Sequence, residues 1–562
     1  MLYTPELAPI AQSLALSSLI AALPLLTVFV TLGVLRWKAH FAGLAGLAVA
    51  LLVAIVGYKM PIHLAGLSAT QGIVFGLFPI MWIVLNAIWL YELTVASGRF
   101  EDLRKVINRI SDDPRIQAVM IAFGFGGLLE ALAGFGAPVA ITGVMLLAVG
   151  FTPMRAATVV LLANTAPVAF GAIGIPIITA GNLTGIDYHT IGAYVGHQTP
   201  VIALFVPLFL VLLADGRRGV TQVWPLALVV GAVFAVTQWV SATWISTELT
   251  DIIASLSAIA AAVIMLRFWK PQGSAEARER LLRERIAEEE ATGQEPTGTP
   301  GGGVDTVTVT TTDLTTRRVV MALFPYLLVI AVFSLAKLWT PLTNALAATD
   351  VKIPWPGLHG SIVNSAGEAV SSTTYTLTWL SGAGSLLLIC GVITAIVYRV
   401  GARRTIGLWG ATVSKLRFSI LTVGAVLGLA YVMNQSGQTI TIGTWIAGTG
   451  AAFAFLSPIL GWLGTAVTGS DTSANALFAT LQQAAAERAG LDPTLLVAAN
   501  TSGGVVGKMI SPQNLAIAAT AVGLVGRESE IFRKVIGWSI GLLLALCLLV
   551  GLQSSVLSWM LP

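Results

Sequence analysis

Charge is scarce in this chain. Asp, Glu, Lys and Arg make up 10% of its 562 residues, against 56% for the hydrophobic types. A soluble fold normally carries about 25% charged residues, so a water-soluble globular protein is excluded and the chain must lie in a bilayer. Cysteine is scarcer still. Cys390 and Cys547 each sit inside an apolar run, which leaves them as small buried side chains and excludes a disulfide or thiolate-metal framework. No basic segment precedes the first apolar run, which follows Glu6 and continues to spanning length. A cleaved signal peptide is therefore not expected, and the run is expected to remain a helix.

Apolar runs long enough to cross a hydrocarbon core of about 30 Å recur at 10–35, 44–58, 201–213, 225–240, 319–338 and 539–557. They predict an all-α polytopic membrane protein with about 12–14 crossings. The net charge of +4 matters through its placement. Cations gather at 36–38, 99–115, 217–218, 267–318, 399–417 and 527–534, which predicts cytoplasmic loops there. The loops at 247–251 and 340–375 carry almost none and should face outward, as should both termini. Clusters spread this way do not suit nucleic-acid binding. Between 270 and 316 the chain becomes a Glu/Arg-rich helix (275–290), then a Thr/Gly/Pro-rich stretch (292–312), expected to be a solvated cytoplasmic linker without visible chemistry.

One pattern occurs twice. Ala163-Asn164-Thr165 is followed by Gly171 and Pro176; Ala499-Asn500-Thr501 is followed by Gly507 and Pro512 at identical offsets. Polar, Gly- and Pro-interrupted segments at corresponding places in two halves point to the substrate site of a carrier. Upstream of each lies a second interruption, 127–139 and 464–475. Broken helices free backbone groups that hydrocarbon forbids unless protein, water or ligand satisfies them, and the resulting half-helix N-termini favour an anion. The loop assignments give the flanking helices opposite directions in the two halves, predicting inverted-topology repeats with two re-entrant hairpin regions. The organisation expected is 1–69 N-terminal helices, 70–213 repeat 1, 214–270 further helices, 271–316 linker, 317–417 helices with an outward loop at 341–376, and 418–562 repeat 2.

Glu130 and Asp471 are the acids of these interrupted segments. A carboxylate at membrane depth costs about 2.5–3.5 kcal/mol or more, so the functional reading is a proton carrier and the plainer one a structural acid bonded to hairpin backbone. Lys508 could pair with Asp471 or a substrate carboxylate, or snorkel to water. Asn164, Thr165, Ser470, Thr472, Ser473, Asn500, Thr501 and Ser502 suit a small hydroxylated acid, although helix-to-helix bonding explains each singly. Gly134, Phe135 and Gly136 complete the candidate binding set. His189 and His197 could relay protons, with solvated or capping roles the commoner fate.

Residues 129–141, 164–171, 468–478 and 498–512, four long motifs in order, resemble those of the L-lactate permease family of bacterial proton-coupled carriers. The match extends over nearly the whole chain. Ala131-Leu132 departs from the family's usual Gly and small residue, and the charged linker looks particular to this branch. The resemblance implies proton-coupled uptake of L-lactate, and often D-lactate and glycolate, across the cytoplasmic membrane. It implies no cofactor, metal or enzymatic role. A Na⁺-coupled or dicarboxylate carrier is the near alternative; an anion channel or intramembrane enzyme fits the isolated acid-bearing breaks less well.

Overall fold

The computed structural model describes residues 2–108, 110–134, 136–292, 315–363 and 370–562. Nearly every described element is helical. The exception is a ribbon in which Val351–Pro354 pairs antiparallel with Thr374–Leu377, Val351 facing Leu377. The N-terminal segment is pinned beside it, since Tyr3 bridges to Ile362 and its hydroxyl donates to the Ser436 carbonyl at 2.9 Å. Among the described residues ten helical runs are long and apolar enough to cross a membrane. Their outer faces carry Val56, Phe268 and Leu544 largely exposed, as expected where the solvent is lipid rather than water. The chain is a multi-pass membrane protein.

The longest run, Tyr188–Ile245, is not one crossing. At 1.5 Å per residue it would measure about 87 Å. It reverses inside helix Val206–Val240, where Asp215 and Gly216 leave helical geometry, and Thr199 then lies beside Gln238. Ala137–Val149, Pro153–Ala163 and Gly171–Thr184 are apolar but short. Thirteen residues reach roughly 20 Å, less than the hydrocarbon thickness, so these are partial crossings, which is why the run of 12–14 expected crossings resolves into ten long helices and shorter pieces.

The short pieces have counterparts. In the first half, α1 (Gly126–Ala133) ends at Gly134, and α2 (Ala137–Val149) starts after Gly136 at φ +87° and folds back, placing Thr142 against Gly126. In the second half, α8 (Phe453–Thr468) turns at Gly469 into α9 (Asp471–Ala489), and Ser457 Oγ donates to Gln482 Oε1 at 2.9 Å across the two arms. Both are helical hairpins. Each exits through a left-handed glycine, Gly150 or Gly490, then a side-chain cap, Thr152 or Asp492, then a helix-starting proline. A broken helix follows each time: α3 (Pro153–Ala163) and α4 (Gly171–Thr184), then α10 (Pro493–Gly507) and α11 (Pro512–Val522). The copies exchange partners, α2 packing on α11 and α4 on α9.

Three further helices frame this centre: α5 (Val206–Val240), α6 (Thr250–Phe268) and α7 (Ser274–Thr292). The linker helix α7 is longer than the 275–290 expected, and the low-complexity stretch beyond it lies outside the described residues. It is docked rather than merely solvated. Arg115, fully buried at the base of the first hairpin, bonds Asp113 at 2.7 Å, Asp215 at 3.3 Å and the Gln272 carbonyl at 2.6 Å. Arg280 of α7 joins Asp215, Ser274 donates to Asp113, and Arg285 donates to the Leu147 carbonyl at the end of α2. Within the loop expected on the outer side at 247–251, Thr247, Glu248 and Asp251 are buried, and the bend at Ala172-Ile173-Gly174 packs onto Thr247.

Candidate functional site

The hairpin tips and helix breaks meet at one place. A cavity of about 40 Å³ is lined by Glu130 and Gly134 from the first hairpin, and by Ser470, Asp471 and Thr472 from the second. Gly171 and Ala172 of α4 close one wall and Lys508 another. By the measure in which a water needs 10–15 Å³, this space holds about three. Polar side chains reach it because each comes from a helix end: the last turn of α1, the first turn of α9 and its cap, and the residue just past α10.

Lys508 Nζ donates to Glu130 Oε1 at 2.6 Å, joining the two halves across 378 residues. The sequence reading paired Lys508 with Asp471 or substrate; the structure pairs it with Glu130, because the α10 break carries the ammonium toward the first hairpin. Glu130 is 2% exposed and Lys508 7%. Gly171 admits the carboxylate, since a Cβ there would stand 2.9 Å from Glu130 Oε1. Asp471 has a different setting. It occupies the first turn of α9, where the helix dipole favours an anion, and Thr465 Oγ1 donates to its Oδ1 at 3.3 Å. Neither Glu130 Oε2 nor Asp471 Oδ2 has a hydrogen-bond partner among the described residues. Unmet buried acceptors of this kind normally mark a place for water or ligand.

The wall opposite is strained. Ala172 (φ +45°) and Ile173 (φ +61°) adopt left-handed backbone, a conformation that costs about 1–3 kcal/mol for such residues and gathers at functional sites. In its ionised state the lining holds two carboxylates and one ammonium, a net charge of −1. A further monoanion would meet that excess in a low-dielectric space, where repulsion is poorly screened.

The remaining candidates divide. Asn164 and Thr165 border a narrow crevice on the other side of Lys508, shared with Asn514, and Asn164 Oδ1 is unpartnered. Gly136 sits at the first tip but faces Ile517 of α11 instead of the cavity. Phe135 lies outside the described residues. Ser473 is buried, its amide bonded to the Ser470 cap at 3.3 Å. Asn500 and Thr501 both donate to Asn475 Oδ1 at 3.0 Å, and Ser502 donates to Gln198 Oε1 at 2.6 Å. The structure thus spends those three on helix-to-helix bonds, because they point away from the side of α10 on which Lys508 reaches the cavity. His197 is likewise fixed: Trp239 donates to Nε2 at 2.8 Å, so Nδ1 must carry the proton bonded to the Ala193 carbonyl at 2.7 Å. Sequence reasoning missed Asp251, a buried carboxyl on α6 whose Oδ1 accepts from Gln238 Nε2 at 3.0 Å. An acid at the head of an apolar run was its only signal.

Comparison with known proteins supplies an independent constraint. A family model described as L-lactate permease matches residues 17–557. The L-lactate permease of Bacillus subtilis strain 168 is 41% identical, with 100% of both chains covered. The glycolate permease GlcA of Escherichia coli K12 is 41% identical over 98% of this chain and 97% of its own. The L-lactate permease of the same organism is 39% identical, covering 98% of each.

Proposed function

The chain belongs to the L-lactate permease family, and from that premise we propose that it imports L-lactate, D-lactate and glycolate by proton symport through alternating access. It is a transporter rather than an enzyme, placed in the cell membrane. The observation that carries the coupling is the buried Lys508–Glu130 pair beside Asp471. With the lining at −1, a substrate carboxylate enters without added charge only if a proton enters too. Protonation of Glu130 frees Lys508 to bind that carboxylate, one ion pair replacing another. Asp471, with Ser470 and Thr472, then accepts a hydrogen bond from the 2-hydroxyl. A carboxylate acceptor for that hydroxyl accounts for selection of 2-hydroxy acids, since hydrogen bonds to charged groups contribute about 1.5–3 kcal/mol.

The paired hairpins and broken helices support inverted repeats, in which the charge-rich ends at Arg115 and Arg527 are cytoplasmic. A cavity of about 430 Å³ at that end is lined by Arg155, Arg527 and Lys534; Glu284 pairs with Arg155 and Glu530 with Arg527, which leaves the Lys534 charge to favour a released anion. The test is uptake of labelled L-lactate into proteoliposomes under a pH gradient or a Na⁺ gradient, each alone. Uptake driven by the pH gradient and collapsed by a protonophore is expected. Uptake driven only by Na⁺ would overturn the coupling.

A further inference from the structure

Proton symport needs a way for protons to reach Glu130, and α6 presents one. Glu248, in the turn leading into α6, and Asp251 and Ser255 on it recur at helical spacing and so share a face. Glu248 borders a cavity of about 370 Å³ together with Tyr188, Asn182 and Asp350. Tyr188 Oη donates to its Oε1 at 2.9 Å and Ser246 Oγ to its Oε2 at 2.7 Å. Further along, Asp251 is 1% exposed. Ser255 packs on Gly127, its Oγ 2.6 Å from where a Cβ there would stand, and Gly127 is three residues before Glu130 on α1.

Four buried atoms along this line, Thr247 Oγ1, Asp251 Oδ2, Ser255 Oγ and Glu130 Oε2, have no hydrogen-bond partner among the described residues. Each such group left dry costs about 1–3 kcal/mol. Packing alone does not explain so many in a row, and intervening water molecules would satisfy them. Gln238 of α5 holds Asp251 in place, donating to its Oδ1 and, at 3.2 Å, to the Ala166 carbonyl in the first helix break. The ionisable group that acts on Asp251 from α1 is Glu130; α5 contributes the uncharged Gln238, backed by Thr199 of the short helix before it. Lys508 stands beyond, on Glu130.

We propose that Asp251 is a proton relay between the cavity at Glu248 and Glu130. The proposal rests on the symport reading above. In each turnover one proton passes from the Glu248 side onto Asp251 Oδ2 and one leaves Asp251 for Glu130 Oε2 through intervening water. Asp251 ends as it began, and Glu130 loses the negative charge that held Lys508.

The experiment uses the full chain in proteoliposomes containing a pH-sensitive dye, with lactate-coupled proton flux and lactate–lactate exchange measured on the same preparation. Asp251→Asn retains the acceptor for Gln238. It is expected to exchange lactate within about twofold of the parent while proton flux falls by about a hundredfold, the lower end for a positioned proton-transfer group. Glu248→Gln should slow proton flux by about tenfold and leave exchange unchanged. An Asp251→Asn protein that accumulates lactate under a pH gradient at the parental rate overturns the relay while the symport reading stands. If the parent protein itself moves no proton with lactate, both fall. Should Asp251→Asn not fold, Glu248→Gln and Ser255→Ala decide, and parental proton flux in both rejects the relay.

Discussion

The two hairpins share an architecture and differ in what they do with their acid. The first places Glu130 before its tip, on the last turn of α1, and neutralises it with Lys508 from the other half. The second places Asp471 after its tip, at the head of α9, with a threonine hydroxyl and an oxygen left over. Their bases differ too. The first is fastened by Arg115, Asp113, Asp215 and the linker helix, whereas at the base of the second Tyr194 Oη donates to Asp492 at 2.8 Å. Duplicated backbone therefore does not imply duplicated chemistry. On the proposed reading one copy holds a charge that is exchanged, and the other a charge that receives a substrate hydroxyl.

The comparison breaks most severely at Lys508. Lys508→Met leaves Glu130 buried and alone, a loss of about 3–5 kcal/mol, and should abolish uptake and lower the melting temperature in detergent. Adding Glu130→Gln should restore the melting temperature but not pH-driven uptake. The two acids should then separate. Glu130→Gln is expected to keep exchange and lose pH-driven accumulation by about a hundredfold. Asp471→Asn should keep the pH response and raise KM for 2-hydroxy acids by about tenfold, as one charged hydrogen bond is weakened. Identical pH profiles for both variants would show that the hairpins are not specialised.

A steric version of the contrast is smaller. A Cβ at Gly504 would stand 1.9 Å from Asp471 Oδ1, against 2.9 Å between one at Gly171 and Glu130 Oε1. Gly504→Ala should cost about 1–3 kcal/mol by overpacking, more than Gly171→Ala, in paired thermal melts. The hairpin bases give a pH test. Burial alone would push the Asp113 carboxyl up, but hydrogen bonds from Arg115 and Ser274 and the Arg115 charge hold it below the ordinary carboxylate range. Its contribution to stability is therefore present above the ordinary carboxylate pKa and lost as pH falls through the depressed value. Asp113→Asn should flatten that acid limb in melting curves taken across pH. The least effect is expected at Ser502→Ala: about 1 kcal/mol of stability and a lactate KM within about twofold of the parent.

Much of this was legible in the sequence. Glu130 and Asp471 stood out as acids in apolar segments, and the Ala-Asn-Thr skeleton marked both helix breaks. Glycine and proline set the hairpin turns locally, so their positions could be read. What escaped was whatever depends on rotation about a helix axis or on distant contact. Asn500, Thr501 and Ser502 resemble ligands in composition, but α10 turns them toward Asn475 and Gln198. The Lys508–Glu130 pair joins segments with no shared local pattern. Asp251 was hidden because a short stretch poor in cations reads only as a connection between helices, while its burial depends on distant packing such as that of the α4 bend on neighbouring Thr247.

The span of the Lys508–Glu130 pair also bears on biogenesis. Ribosomes add about 5–20 residues each second, so the 378 residues between these partners represent roughly 20–80 seconds of synthesis. Throughout that interval the first hairpin has emerged and its counter-ion has not. A nascent chain must therefore keep that hairpin, with its unpaired Glu130, out of the hydrocarbon until the last tenth of the protein arrives. Chains truncated before Lys508 are accordingly expected to be cleared by membrane proteases faster than the same truncations carrying Glu130→Gln, which makes the buried ion pair a late checkpoint on completion of the polypeptide.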